Sequence, residues 1–189
     1  MNKHTILSWL PQAIASTIIL LVVYGAVQQN IRQSANSPQI QLAEDGGAIL
    51  AQGIPPFELL GNSRVDIVKS LSPFAIIYSA SGTPMASSGY LKGSVPVIPS
   101  GVLEYARSHG EDRLTWQPAP DTRIAAVVSY YHGSSTGYIL VGRSLREAEA
   151  LESSIVLMTG AALIILLVTT FLASLYAGMV REKKSDSLV

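Results

Sequence analysis

Two long apolar runs, one towards each end of the chain, frame a middle stretch whose hydrophobic period changes along its length. Residues 5–31 carry no charged side chain, and residues 14–27 are nearly all apolar, centred on Ile18-Ile19-Leu20-Leu21-Val22-Val23. A helix of about 20 such residues crosses the hydrocarbon layer of a bilayer. Residues 153–180 are likewise uncharged, with Gly160-Ala161-Ala162-Leu163-Ile164-Ile165-Leu166-Leu167-Val168 at their centre, and are long enough to cross with some tilt. Trp9, Tyr24 and Tyr176 fall where interfacial aromatics belong. The pattern divides the chain into an N-terminal tip and first transmembrane helix (1–31), a water-exposed domain (32–152), a second transmembrane helix (153–180) and a short tail (181–189).

Within the middle stretch, residues 28–34 are polar and extend the first helix until Ala35-Asn36-Ser37-Pro38, which reads as an interruption. Ser37 is then an N-cap and Pro38 a first helical residue, opening a helix to about Gln52 with Gly46-Gly47 as its weak point. Gly53-Ile54-Pro55-Pro56 is a break, and residues 65–71 suit a short helix ended by Ser72-Pro73. The period then changes. Residues 74–79 are β-branched and aromatic, Ser81-Gly82 is a turn, and residues 84–88 return as a second strand. Residues 101–109 predict a helix capped by Ser100 and ended by Gly110. Three strands follow, at 113–117, 123–131 and 138–143, with turns at 118–121 and 133–137. Residues 145–151 are helical with nothing to break them before the second apolar run. Leu145, Ala148, Leu151, Ile155, Met158 and Ala162 form one apolar stripe along that helix, which suits either packing on the domain's own sheet or a dimer contact.

Charge sets the expected orientation. Lys3 precedes the first run and Arg181, Lys183 and Lys184 follow the second, while Arg32, Arg143 and Arg146 are the few basic residues flanking the middle stretch. The positive-inside rule puts both termini in the cytoplasm and the domain outside the cytoplasmic membrane. The alternative, a cleaved signal peptide ending near Val23–Gly25, also leaves the domain outside. Only nine residues follow Val180, so no output domain is expected there. The formal net charge is zero and only 14% of residues are charged, which gives nucleic acid no basic surface to bind. With no cysteine, the chain has no disulfide, thiolate metal site or cysteine nucleophile.

Few motifs carry chemistry. Gly133-Ser134-Ser135-Thr136-Gly137 matches a hydrolase nucleophile pattern, but it joins strand to strand instead of strand to helix, so it reads as a hairpin loop. His109 and His132 have no second ligand at helical spacing, and no metal or cofactor is expected. Glu111-Asp112 and Asp121 read as solvated turn acids. Tyr78, Trp116, Arg123, Tyr130 and Tyr138 are the candidate ligand contacts. Strand alternation sends Tyr78 to the face of Phe74 and Ile76, and Tyr130 to that of Ile124 and Val128; ordinary packing is the competing role for each. Ala173 with Ala177, and Ser174 with Gly178, form two small-xxx-small pairs suited to close helix–helix approach and a homodimer.

The order of elements is an apolar helix, a further helix, a strand hairpin, a helix, three antiparallel strands and a helix running into the second apolar run. It resembles the extracytoplasmic PAS-like or single-Cache sensor domains of bacterial two-pass receptors. The likeness is carried by Phe74-Ala75-Ile76-Ile77-Tyr78-Ser79-Ala80-Ser81-Gly82-Thr83-Pro84 and by Gly137-Tyr138-Ile139-Leu140-Val141-Gly142-Arg143-Ser144-Leu145-Arg146-Glu147. It implies an α+β fold with a small antiparallel sheet of about five strands and flanking helices. It also implies a membrane-anchored, non-enzymatic sensory or ligand-binding module that signals through a separate partner such as a histidine kinase. The arginine-tryptophan-tyrosine cluster of amino-acid-binding chemoreceptors is missing, so that ligand class does not carry over. The competing expectation is a structural or interaction subunit of an envelope complex.

Overall fold

The computed structural model describes residues 3–186, in two units: the chain up to Ile31 together with the chain from Ala150, and Arg32–Glu149. The side chains of Lys3, Arg32, Arg181, Lys183 and Lys184, on which the expected orientation rests, lie outside the described residues.

The first unit is a helix pair, from α1 (Lys3–Ala51) and α4 (Arg146–Asp186). Each contains a segment long and apolar enough to cross a membrane, Trp9–Ile31 in α1 and Arg146–Val180 in α4, near the two ends of the chain. Their apolar side chains are largely uncovered, Val22 being 66% and Leu157 75% exposed. The two helices meet at both ends of the pair. The Trp9 indole N–H donates to Thr170 Oγ1 at 3.0 Å, and the Trp9 ring stands edge-on to Phe171 at 5.5 Å. At the other end Gln28 Nε2 donates to Glu152 Oε1 at 2.6 Å.

The second unit is α+β. Its five-stranded sheet contains β2 (Phe74–Ser79), β3 (Pro84–Ser87), β5 (Glu111–Ala119), β6 (Thr122–His132) and β7 (Thr136–Ser144). The order is β3-β2-β7-β6-β5, every neighbour antiparallel, so the first and last strands of the sheet pair at its middle. The helix α3 (Ser100–His109) contributes Leu103 and Ala106 to one face, where Ile76, Tyr78, Ile124, Val128, Tyr138 and Leu140 are buried. The C-terminal part of α1 covers the other, packing Ala43 and Leu50 with Ile77, Val127, Ile139 and Val141. Covering both faces explains why β6 and β7 are near-continuous apolar runs and not alternating ones. A flanked five-stranded antiparallel sheet is therefore as the sequence predicts.

Three local expectations fail. The break at Ala35–Pro38 does not occur, and α1 runs through it as helix. Pro38 forfeits one backbone donor, the Ser37 hydroxyl bonds back to Gln33 O at 3.0 Å instead of capping, and burial of Ala43 and Leu50 downstream outweighs the local penalty. The predicted helix at 65–71 is instead β1 (Val65–Asp66), paired in parallel with β4 (Gly89–Tyr90), followed by a turn. Asp66 makes that turn, its carboxylate accepting from Val68 N at 3.0 Å and its carbonyl from Ser70 N at 2.8 Å. Ser100 is the first helical residue of α3 and makes no cap bond, the N-cap position being Pro99. The Gly53–Pro56 break holds, but Pro56 opens a short helix, α2 (Pro56–Leu60).

Gly46 and Gly47 are points of close approach. A Cβ on Gly46 would lie 2.6 Å from Ile139 Cδ1, whereas one on Gly47 would meet only ordinary contacts at 3.7 Å and beyond. The two glycines should therefore respond oppositely to alanine. Gly47→Ala should stabilise the full chain in micelles by roughly 0.5–1 kcal/mol through helix propensity, and Gly46→Ala should lose about 1–3 kcal/mol to overpacking. Thermal unfolding followed by circular dichroism checks the pair, and equal midpoints would contradict the packing assigned to Gly46.

Candidate functional site

The sheet's two faces differ in how completely they are filled. On the α3 face, four of the five sequence-selected residues come together. Tyr78 and Tyr138 are cross-strand partners, as are Tyr138 and Tyr130, and the Tyr130 and Tyr138 rings lie 5.4 Å apart at 52°. Trp116 is buried in the same cluster, beside Ile124 across the strand pair. The fifth residue, Arg123, is elsewhere: it alternates with Ile124 onto the opposite side of β6, and its guanidinium pairs with Glu149 at 2.6 Å.

The aromatic cluster carries one chemical anomaly. The Tyr78 hydroxyl is fully buried and has no hydrogen-bond partner, and burial pushes its pKa up to about 12. Tyr131, on the α1 face, is also raised by burial, with a hydrogen bond to Ser135 acting in the opposite sense. The serines of the 133–137 loop are structural. Ser135 Oγ donates to Leu50 O at 2.5 Å and Ser134 N to Ala51 O at 2.8 Å, which ties the β6–β7 hairpin to the end of α1. His109 stacks on Tyr105 at 4.0 Å, and His132 on Tyr130 at 6.0 Å. Among the described residues no three His, Asp or Glu side chains cluster as a metal would need.

The α1 face holds an open groove of about 610 Å3, which the sequence does not reveal. One wall is α1, through Leu42, Asp45 and Ile49; another is α2 and the segment after it, through Leu59, Leu60 and Arg64; the floor is Ile139 and Val141 of β7. The lining is mostly aliphatic. Its volume is in the range of small-molecule sites. Arg64 lays its guanidinium 4.4 Å over the Tyr90 ring. Among the described residues neither Arg64 nor Asp45 has an ion-pair partner.

One wall of this groove is also tied to the start of α4. Val65 and Ser72-Pro73 line the groove, and the turn between them offers its carbonyls to two arginines at the end of β7 and the start of α4. Arg146 donates to Val68 O at 3.3 Å and Lys69 O at 2.8 Å, and Arg143 Nε to Leu71 O at 3.2 Å. Arg143 also pairs with Glu147 at 2.9 Å, and Leu145 N donates to Arg123 O at 2.9 Å. In the helix-pair unit, Ser174 and Gly178 are partly covered, on the line of Thr170, whereas Ala173 and Ala177 are exposed. The two small-residue pairs thus lie on different sides of α4.

No protein-family model matches the chain, and neither a curated protein nor a solved structure matches it.

The unpartnered Tyr78 hydroxyl generates a test. Removing it should not destabilise the chain, because a buried unsatisfied polar group costs about 1–3 kcal/mol; Tyr78→Phe should unfold at the same or a higher temperature. The pH dependence has a definite sign. A folded pKa of about 12 against the ordinary 10.0 means the unfolded state loses its proton first. The Tyr78 contribution is therefore intact below pH 10 and is lost as pH rises from 10 towards 12, at roughly 1.4 kcal/mol per pKa unit. Denaturant titrations at pH 8 and pH 11 should show a smaller alkaline loss in Tyr78→Phe than in the parent. An equal loss would show that the hydroxyl is solvated.

Proposed function

We propose that the protein is a membrane-anchored, extracytoplasmic ligand-binding module of sensory type that acts through a separate partner. The observation that carries this reading is the shared wall: the turn that joins two lining points of the groove, Val65 and Ser72, supplies the carbonyls that hold Arg143 and Arg146 where β7 passes into α4. A ligand that displaces residues 64–73 on entering the groove changes what the first turn of α4 is anchored to. From Arg146 onward α4 is a single helix with no break, and a helix conveys a small shift or rotation where a flexible linker does not. The strand order and the two apolar helices support the resemblance to two-pass sensor domains at the level of topology. Fold likeness by itself is a weak warrant for function, and the shared wall is the stronger one. On this reading the lipid bilayer of the cytoplasmic membrane is the first partner, with both termini cytoplasmic, and the two long apolar helices support it.

The competing reading is a structural subunit that docks on another envelope protein. Mass spectrometry of the full chain purified from membranes separates the two. A small molecule that the parent retains, and that Ile49→Trp loses because the indole fills the groove, supports the sensor module. A chain that retains no small molecule but co-purifies equally with a second membrane protein in both forms overturns it.

Orientation is tested directly, since the chain has no cysteine of its own. Ser108→Cys, at an exposed position on α3, should react with an impermeant thiol reagent on intact cells, and Ser187→Cys should not. The reverse labelling would place the domain in the cytoplasm.

The anchoring role of Arg146 has its own measurement. It is exposed, so its bonds to Val68 and Lys69 are worth only about 0.5–1 kcal/mol. Arg146→Gln should accordingly speed amide exchange at Lys69 and Ser70 by about 3- to 10-fold while leaving the β6–β7 amides unchanged. No change at Lys69 and Ser70 would mean that the turn is held by Asp66 alone.

A further inference from the structure

We infer that the groove on the α1 face takes a single-chain zwitterionic amphiphile, a lysophospholipid whose headgroup carries a phosphate and an ammonium. The inference rests on reading this groove as a ligand site and adds what its chemistry selects. Three features of the lining decide it.

The body of the ligand must be aliphatic. Leu42, Ile49, Leu59, Leu60, Ile139 and Val141 supply most of the wall, and Phe74 is its sole ring. The buried Ser88 hydroxyl is already committed to the backbone of Ala75, at 2.9 Å from its N and 3.3 Å from its O. A sugar or a nucleobase would set most of its polar edges against aliphatic side chains, since the remaining polar residues of the lining, Ser63, Ser72, Asp45 and Arg64, all lie at exposed positions. An alkyl chain would bury apolar surface against apolar surface.

The head must carry both signs. Arg64 and Asp45 are the charged residues of the lining, and among the described residues neither is ion-paired. The Arg64 guanidinium carbon lies 4.4 Å from the Tyr90 ring centroid, and its N–H groups make no hydrogen bond to the described residues, which leaves them to donate to a phosphate. Asp45, on the α1 wall, meets an ammonium. A purely anionic amphiphile satisfies Arg64 and is repelled by Asp45; a purely cationic one does the reverse.

The ligand must also be larger than an amino acid. The groove is about 610 Å3, and its aliphatic wall continues outwards through Leu42 and Ile49, which are 46% and 37% exposed. A domain carried on two apolar helices long enough to cross a bilayer has such amphiphiles at hand.

The full chain in phosphatidylglycerol nanodiscs would be titrated with dodecanoyl lysophosphatidylethanolamine below its micelle concentration and followed by amide hydrogen exchange. Lysophosphatidylglycerol of equal chain length and free leucine serve as comparison arms. Residues 59–65 should gain protection that saturates with the ethanolamine lipid. Arg64→Gln and Asp45→Asn, both exposed and therefore compatible with an intact fold, should each raise the half-saturating concentration by about tenfold or more, the loss expected for a removed charge-assisted contact. Unaltered exchange across β6 and β7 in the variants verifies that fold. Equal protection by the glycerol lipid, with Asp45→Asn without effect, would overturn the zwitterionic headgroup. Protection by leucine alone, or by no probe, would overturn the amphiphile. The underlying ligand reading falls separately, if the purified chain retains no small molecule that Ile49→Trp displaces.

Discussion

Everything in the domain depends on β7 being buried on both faces and paired on both edges. The strand sits between β2 and β6, with Tyr138 and Leu140 turned to the α3 side and Ile139 and Val141 to the α1 side. A strand held in this way cannot slip by one residue without exchanging its two apolar sets. It is also the last strand, and one residue separates it from α4. The most constrained element of the sheet is therefore the one that leads into the second apolar helix.

That constraint accounts for the helix packing around it. For α1 to lie against Ile139 and Val141, its backbone has to come within side-chain distance of β7, which is why Gly46 carries no Cβ. Gly142 plays the corresponding part on the other face, where a Cβ would meet Phe74 Cζ at 2.6 Å. Close approach along one stretch leaves space beside it. Where α1 diverges from α2 and the 63–73 segment, Ile139 and Val141, buried in the α1-side core, also border the groove. The same segment lends its carbonyls to Arg143 and Arg146, so the groove's edge and the origin of α4 share one short piece of chain.

Most of the fold is legible in the sequence because its signals are strong and local. Two charge-free runs, a β-branched stretch from Phe74 to Ser79 and turn residues at Ser81-Gly82 and 133–137 fix the helix pair and the hairpins without reference to distant contacts. The failures come where tertiary packing overrides local preference. Ser37-Pro38 looks like a helix start, but the turns after it are bound to the sheet. Residues 65–71 have helical composition, but β4 offers Val65 and Asp66 a parallel partner that only the folded chain brings near. Alternation puts Tyr78 on the face of Phe74 and Ile76 and Tyr130 on that of Ile124 and Val128, and the folded sheet joins those two sets, with Tyr138, on one side. Alternation does not say whether a face is filled. The groove was invisible for the same reason that Gly46 looked like a weak point: both depend on how closely two elements distant in sequence approach.

The division of labour between the two faces follows from side-chain shape. On the α3 face, large rings from β2, β5, β6 and β7 interlock, and the Tyr78 hydroxyl is buried among them without a protein hydrogen-bond partner. Such a face supplies rigidity. The α1 face uses branched aliphatic side chains from the strands and small residues from the helix, which lets the helix approach but fills less of the space along the flank towards α2. Its walls also come from separate pieces of chain, α1 on one side and the 59–73 segment on the other, the second held by the two-residue β1–β4 pairing and the turn at Asp66 and not by the five-stranded sheet. On the proposed reading, β7, locked from its far side by the aromatic cluster, is the firm side of the groove, and the segment through Arg64 and Val65 is the side that a ligand would displace.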